Sequence, residues 1–325
     1  MRWILAIAVS IVSASFAQDA FDTWERRMLD GAYSVAADFA EGFATREASS
    51  AVWSYRAAAS HAMANAPERA IDWLRTAAER GYSGVRTIET DSDLDPIRAN
   101  AEFEVVANMV RSNARRRMAS FRDAAERAEP TVVLPRRHDA ATPAPLVIVL
   151  HGTGGSGRAA ARAWRGATQR VGAILVAADA LRPSGDGYAW VFRDESEWYI
   201  EHLIEEAKRA HAVGPVIVAG FSQGANIALA MGRSHPDLFD GVIAVCGHWE
   251  DDVAAIPAEG ERPAWFLMIG ERDPWVETYA GGEAALSGAG MDVEVRVVPR
   301  LGHQMPPSRD LHAALAWCLE RAGRD

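Results

Sequence analysis

The sequence predicts an α/β protein in which a doubly wound, mostly parallel sheet follows a smaller all-α region. Three observations lead to this fold class. From residue 131 onward, short apolar runs alternate with helical segments, which is the pattern of βαβ units. Residues 19–118 show helical periodicity only. A Gly-x-Ser-x-Gly sequence at residues 220–224 joins one apolar run to a helical segment. We therefore expect a helical domain at 19–118, a charged linker at 119–130 and an α/β domain at 131–325.

The composition is that of an ordinary globular protein and limits the classes of partner. Of 325 residues, 49% are hydrophobic and 24% are charged. The net charge of −10 argues against nucleic acid or an anionic membrane as the main partner. The two cysteines, Cys246 and Cys318, are too few for a disulfide framework or a zinc site, and both stand in apolar runs. We expect two buried free thiols and neither a metal nor a cofactor.

Residues 1–17 have the features of a secretory signal peptide. Arg2 supplies a positive charge, and a short apolar stretch follows from Trp3 to Val12. Small residues at Ser15 and Ala17 stand where a signal peptidase cleaves. The apolar stretch is too short to span a bilayer. We expect a secreted or periplasmic protein without stable membrane insertion.

The region 19–118 is predicted to contain helical hairpins. An alanine-rich helix over 51–64 and a second helix over 67–80 are separated by a turn that contains Pro67. This part resembles a tetratricopeptide-type hairpin, although His61 stands where that repeat carries an aromatic residue. One clear hairpin is too short an array for a peptide-binding solenoid. We expect a packing or lid module, with recruitment of a protein partner as the alternative.

The region after residue 130 is predicted to contain seven strands and five connecting helices. The strands are predicted at 132–134, 146–150, 173–178, 216–219, 242–246, 264–269 and 293–298. The helices are predicted at 159–171, 195–212, 225–233, 277–287 and 309–321. Ligand sites of doubly wound sheets lie at the carboxyl ends of the strands. The residues that follow each strand are therefore the candidates for chemistry.

Ser222 is the strongest of these candidates. It lies in the turn that follows the strand over 216–219, between Gly220 and Gly224. A serine on a sharp strand-to-helix turn has a strained backbone. Glycines two residues away on each side have no side chains, so the backbone on the two sides of the turn can pack closely. The helix that begins there also directs free N–H groups toward the serine. The sequence predicts a nucleophile elbow.

Asp273 and His303 complete a possible catalytic triad. Each follows its own predicted strand, and the three residues occur in the chain order Ser, Asp, His. A serine hydroxyl needs a base to take its proton, and a carboxylate must hold the imidazole of that base in the correct tautomer. We interpret Ser222 as nucleophile, His303 as general base and Asp273 as the orienting acid. Asp251 and Asp252 are rival acids because they follow the preceding strand.

The loop after the strand at 146–150 is rich in glycine and has two interpretations. As an oxyanion loop, the backbone N–H of Thr153 would act together with that of Gln223. As a dinucleotide site, the loop supplies the G-x-G-x-x-G motif with Gly152, Gly154 and Gly157. Asp179 follows the next predicted strand, where a carboxylate that binds the ribose would stand.

An oxidoreductase is therefore the alternative function. We favour the oxyanion loop because a dinucleotide site leaves the placement of the three triad residues as coincidence. Four further residues near strand ends are candidates for the walls of a substrate pocket. They are Trp190, His248, Trp249 and Trp275.

Residues 131–322 resemble the α/β-hydrolase superfamily, nearest its carboxylesterase and phospholipase branch. The resemblance is carried by residues 151–155, 220–224, 235–243, 270–273 and 302–303. The resemblance implies a serine esterase that acts on a small-molecule carboxylic ester without a cofactor. It implies a triad of Ser222, His303 and Asp273. It also implies an oxyanion hole formed by the backbone amides of Thr153 and Gln223. Ala225 departs from that branch, which usually continues with a glycine. A non-catalytic binding protein of the same fold is the remaining alternative.

Overall fold

The computed structural model describes residues 19–47, 50–249 and 263–322. The predicted signal peptide at 1–17 and the two rival acids, Asp251 and Asp252, lie outside the described residues. The chain divides into two compact units, Met1–Asp123 and Ala124–Asp325. None of the helices in the described ranges is long and apolar enough to cross a membrane.

The first unit is built of helices. They are α1 (19–29), α2 (Tyr33–Arg46), α3 (Ala51–Met63), α4 (Pro67–Glu79), α5 (Val85–Thr90), a 3₁₀ turn (Ser92–Ile97) and α6 (Ala101–Ala125). Ser50 caps α3 by accepting a hydrogen bond from the N–H of Trp53 at 3.3 Å, and Pro67 is the first residue of α4. The helices α3 and α4 agree with those predicted at 51–64 and 67–80. The helix α6 continues to Ala125, into the segment expected as a linker.

Small residues line the core that α3 and α4 share. Ala58, Ala62, Ala70 and Ala77 are all buried, and they pack in one cluster with Leu74. Alanine at these positions lets two helix backbones approach closely, and this packing adds to the high helix propensity of alanine.

The position where a tetratricopeptide repeat has an aromatic residue holds a buried polar pair. His61 is 4% exposed, and its Nε2 lies 2.5 Å from Oε1 of Glu41 on α2. The same oxygen accepts hydrogen bonds from Arg69 at 2.6 Å and from the indole of Trp73 at 2.7 Å. A polar network thus replaces aromatic packing here. The tetratricopeptide likeness stays a prediction.

The second unit contains the predicted sheet of seven strands. The strands are β1 (Thr131–Val133), β2 (Ala144–Leu150), β3 (Ile174–Ala177), β6 (Val213–Phe221), β7 (Gly241–Val245), β8 (Ala264–Gly270) and β9 (Val293–Val298). A two-stranded hairpin, β4 (Pro183–Ser184) and β5 (Gly187–Tyr188), stands apart from this sheet. The helices are α7 (Gly157–Val171), α8 (Arg193–Ala210), α9 (Gln223–Ser234), α10 (Thr278–Gly288) and α11 (Ser308–Arg321). The order β1-β3-β2-β6-β7-β8-β9 is parallel except at β1, which confirms the predicted fold class.

The register of the sheet brings the strand ends that carry the candidate residues side by side. Leu150 at the end of β2 pairs with Gly220 of β6, and Phe221 pairs with Val245 at the end of β7. The inner strands β7 and β8 are buried along their whole length, as continuous apolar runs of a parallel sheet should be. The loops after β2, β6, β7, β8 and β9 therefore emerge from one edge of the sheet.

Candidate active site

The backbone at Ser222 forms a sharp turn between β6 and α9. Ser222 has φ +54° and ψ −122°, a conformation that non-glycine residues rarely adopt, and its N–H donates to Val245 O at 2.9 Å. A Cβ atom at Gly220 would lie 2.1 Å from the carbonyl oxygen of Gly224, and one at Gly224 would lie 2.4 Å from that of Leu150. The two glycines are thus required by backbone contacts on both sides of the serine.

Ser222, His303 and Asp273 form a continuous hydrogen-bonded chain. The Oγ of Ser222 lies 2.9 Å from Nε2 of His303, and Nδ1 of His303 lies 2.8 Å from Oδ2 of Asp273. The other carboxylate oxygen of Asp273 accepts the backbone N–H of Trp275 at 3.1 Å. Because a carboxylate only accepts hydrogen bonds, Nδ1 carries the ring proton and Nε2 is the acceptor for the serine hydroxyl. This is the tautomer that a general base requires.

Burial differs along this chain of three residues. Asp273 is 2% exposed, whereas the side chain of His303 is 32% exposed. The carboxylate is therefore fixed inside the protein, and the imidazole is open to solvent and to a substrate.

Two aromatic rings lie beside His303. The Trp275 ring meets His303 edge-on at 5.0 Å between centroids, and the Phe221 ring lies 5.3 Å away. His248 lies 5.7 Å from Trp275, and its backbone N–H donates to Asn226 Oδ1 at 2.8 Å. Of the four residues predicted to wall a substrate pocket, Trp275 and His248 thus lie beside the catalytic candidates. Both are only partly buried.

Trp190 and Trp249 are instead packed into the protein. Trp190 is 4% exposed; its indole N–H donates to His151 O at 2.9 Å, and its backbone N–H donates to Gln223 Oε1 at 2.9 Å. Trp249 is 5% exposed and lies under the guanidinium of Arg233, 4.8 Å from the ring centroid. Their burial favours a structural role. Trp190 joins the glycine loop to the elbow, a role that its position in the sequence did not indicate.

Hydrogen bonds to β5 and to Ala180 hold the glycine loop in place. The N–H of Gly154 donates to Tyr188 O at 2.8 Å, and the N–H of Tyr188 donates to Gly155 O at 2.9 Å, which attaches the loop to β5. His151 bonds through both ring nitrogens: Nδ1 to Gly152 O at 2.7 Å and Nε2 to the N–H of Ala180 at 3.1 Å. Burial lowers the pKa of His151, which favours the neutral ring that this pattern requires.

The two amides predicted for an oxyanion hole follow neighbouring strands. Thr153 stands after β2 and is exposed, and Gln223 is the first residue of α9. Within the described part of the chain, neither N–H donates to a backbone or side-chain acceptor. A free N–H group at the start of a helix and next to a serine, as at Gln223, is suited to bind a developing negative charge.

The contacts of Asp179 disfavour the dinucleotide alternative. Its Oδ1 accepts the N–H of Gly157 at 2.7 Å, at the start of α7, where a pyrophosphate would need that donor. A Cβ atom at Gly157 would lie 2.7 Å from Ala177 O. The glycine and the carboxylate that suggested a cofactor thus serve the packing of α7 against β3.

Arg182 and Glu195 anchor the segment that carries Trp190. Glu195 is 2% exposed and accepts two hydrogen bonds from the Arg182 guanidinium, one of them from Nε at 2.9 Å. The hydrogen bonds to Glu195 raise the pKa of Arg182. No motif marks this pair in the sequence, because the residues stand on either side of a hairpin that the sequence did not predict.

Cys246 is a further residue at the site that the sequence analysis treated only as a buried thiol. It directly follows β7 with φ +52°, and its N–H donates to Met268 O at 2.8 Å. Its sulfur, an Asp273 carboxylate oxygen and a His303 ring nitrogen lie within 4.8 Å of one another. Burial, with the nearby Asp273 carboxylate, raises the pKa of the Cys246 thiol to about 12. Its position at a strand end was the signal that could have identified it.

Comparison with known proteins agrees with this architecture. Residues 145–277 match the family model described as alpha/beta hydrolase fold. This stretch contains β2, the glycine loop, the elbow and Asp273. The second unit has the α/β-hydrolase fold.

A curated protein of Nocardia uniformis subsp. tsuyamanensis, named "Putative esterase NocK", is 30% identical over 140 residues. The match covers 40% of this chain, and the chain spans only 40% of that relative's length. Among solved structures, esterase PE8 is 24% identical with a TM-score of 0.49, covering 60% of this chain and 99% of its own. An uncharacterized protein from Bacillus cereus is 19% identical with a TM-score of 0.49, covering 94% of this chain and 99% of its own.

Proposed function

We propose that this protein, whose second unit has the α/β-hydrolase fold, is an exported serine hydrolase that cleaves a carboxylic ester. The observation that carries the proposal is the Ser222–His303–Asp273 hydrogen-bonded chain, with Oγ to Nε2 at 2.9 Å and Nδ1 to Oδ2 at 2.8 Å, on a strained strand-to-helix turn. Strain at one residue is retained only where the surrounding structure enforces it, and such residues cluster at active sites. The fold and the esterase-like relative support hydrolase chemistry.

The proposed reaction has two halves. The Ser222 hydroxyl attacks the ester carbonyl while Nε2 of His303 takes its proton, and the N–H groups of Thr153 and Gln223 bind the oxyanion. The imidazolium then returns the proton to the leaving alcohol, which leaves an acyl group on Ser222. In the second half, His303 takes a proton from water, and the resulting attack releases the carboxylic acid and restores the serine. Asp273 keeps the imidazole in its tautomer throughout.

A labelling experiment tests the proposal. The purified protein should hydrolyse a short p-nitrophenyl ester and react with a fluorophosphonate probe, and both activities should disappear in Ser222→Ala. Ser234→Ala is the matched control because Ser234 ends α9, the helix that follows Ser222, and its hydroxyl donates to Ala230 O at 2.8 Å. Folded wild-type protein that is not labelled at Ser222 would overturn the proposal and leave a non-catalytic binding protein.

Export is the second part of the proposal. It is supported by the charged, apolar and small-residue pattern of residues 1–17. N-terminal sequencing of the protein recovered from an expression host tests it, and we expect a chain that begins near Gln18. A cell-associated chain that retains Met1 would contradict it.

A further inference from the structure

Three side chains of different ligand type meet beside the proposed catalytic pair. They are the thiol of Cys246, the carboxylate of Asp273 and the imidazole of His303. One ligand atom of each lies within 4.8 Å of the other two. Among the residues that the structure describes, no other group of three histidine, cysteine or acidic side chains has this spacing.

This donor set suits a thiophilic cation. Bond lengths of about 2.3 Å to sulfur and about 2.0–2.2 Å to nitrogen or oxygen place the ligand atoms of a tetrahedral Zn²⁺ site about 3.4–3.6 Å apart. The three ligand atoms lie within 4.8 Å of one another, and Nδ1 and Oδ2, now joined by a 2.8 Å hydrogen bond, must separate by less than about 1 Å to reach that spacing. The carboxylate side chain has no exposed surface and Cys246 is fully buried, whereas His303 is open to solvent. His303 is therefore the ligand that a cation in solvent meets first.

We propose that Cys246, Asp273 and His303 bind a thiophilic divalent cation such as Zn²⁺ and that this binding inactivates Ser222. The thiol releases its proton to solvent when sulfur binds the cation. The cation also takes Nδ1 of His303, so the single ring proton moves to Nε2. A protonated Nε2 cannot accept the proton of the Ser222 hydroxyl. The proposed cation binding does not depend on the proposed hydrolase function, whereas the proposed inactivation rests on that function.

The second cysteine provides a matched control. Cys318 is as buried as Cys246, and its thiol makes a weak contact of 3.9 Å to the carbonyl oxygen of Ala264. It belongs to no cluster of ligand side chains in the described ranges. Binding that depended on buried thiols in general would involve both cysteines, and binding at the proposed site would involve Cys246 alone.

Cadmium titration of the full chain tests the binding. We use Cd²⁺ because its charge-transfer band with a thiolate is visible in the ultraviolet, and the Ser222→Ala variant because it separates binding from catalysis. In that background we expect one band that saturates at one ion per chain and that Zn²⁺ competes away. Cys318→Ser should retain the band, and Cys246→Ser should lose it.

The other two ligands are tested separately. Asp273→Asn and His303→Ala should each weaken Cd²⁺ binding at least tenfold, on the order of what even outer partners of metal ligands contribute. His303 is exposed, so its removal is compatible with folding, which thermal melting checks. A band that persists in Cys246→Ser, or wild-type affinity in both other variants, would overturn the site.

Inactivation is measured on the otherwise unchanged protein. Zn²⁺ should block fluorophosphonate labelling of Ser222, and a chelator should restore it. Labelling that continues with Zn²⁺ bound would overturn the inactivation. Absence of labelling without any metal would instead refute the proposed hydrolase function and leave the cation site to be judged by the Cd²⁺ titration.

Discussion

Replacing Asp273 by asparagine tests the role given to this carboxylate with almost no change in shape. Both of its oxygens accept N–H groups, from Trp275 at 3.1 Å and from His303 Nδ1 at 2.8 Å. An asparagine offers one oxygen, and if that oxygen faces Trp275, its amide N–H group faces Nδ1. Two donors cannot face each other, so Nδ1 must become the acceptor and Nε2 must carry the proton. His303 then cannot accept the proton of Ser222.

We expect Asp273→Asn to lower kcat for a p-nitrophenyl ester about 10⁴-fold, as the wrong tautomer does in a serine hydrolase. This corresponds to about 5 kcal/mol of transition-state stabilisation. Asp240→Asn is the control because Asp240 Oδ2 also accepts a backbone N–H, that of Val216 at 2.7 Å. It precedes β7, about 16 Å of strand away from the catalytic edge. Activity of Asp273→Asn within tenfold of wild type would refute the role of Asp273.

Three further changes test the packing and electrostatics of the second unit. Gly220→Ala should lower both activity and melting temperature, because the added Cβ would lie 2.1 Å from a backbone oxygen across the elbow. Gly288→Ala is the control and should be tolerated, because a Cβ at Gly288 would meet no atom within 4 Å. Arg182→Met should lower the free energy of unfolding, measured in urea, by about 3 kcal/mol, because it removes the guanidinium from the buried Glu195 carboxylate. A loss under about 1 kcal/mol would contradict the role of this pair. Burial raises the pKa of the Cys318 thiol in the folded protein above the unfolded pKa of about 8.5. The neutral buried thiol therefore contributes its full stability below about pH 8.5, and this contribution to the free energy of unfolding falls as the pH rises toward the folded-state pKa. Between pH 7.5 and about pH 10, wild type should lose about 2 kcal/mol relative to Cys318→Ala in urea unfolding, and an unchanged difference would contradict this.

The alternation of strands and helices could be predicted because it depends on local pattern. Each of the seven predicted strand segments corresponded to a strand of the main sheet. The segments at β7 and β8 are apolar along their whole length because these parallel strands are buried on both faces. The segment at β9, on the edge of the sheet, alternates valine with Glu294 and Arg296 and is only partly buried. The hairpin of β4 and β5 was missed because each strand has two residues, too few for any periodicity.

The sequence by itself determined which residues could do chemistry. The Gly220–Gly224 pattern and the strand ends before Asp273 and His303 follow from local sterics and from the rule that a parallel sheet carries its ligands at one edge. These features are properties of short segments, so they can be recognised without knowing where other segments lie.

Only the tertiary structure decided what each candidate contacts. Trp190 and Trp275 both follow strands, yet one is buried between the glycine loop and the elbow and the other faces His303. Asp179 accepts the N–H of Gly157, the first residue of α7, and Cys246 stands beside Asp273. Such differences depend on strand order and on which loops pack together. These are long-range contacts between residues far apart in the chain, and local sequence pattern does not encode them.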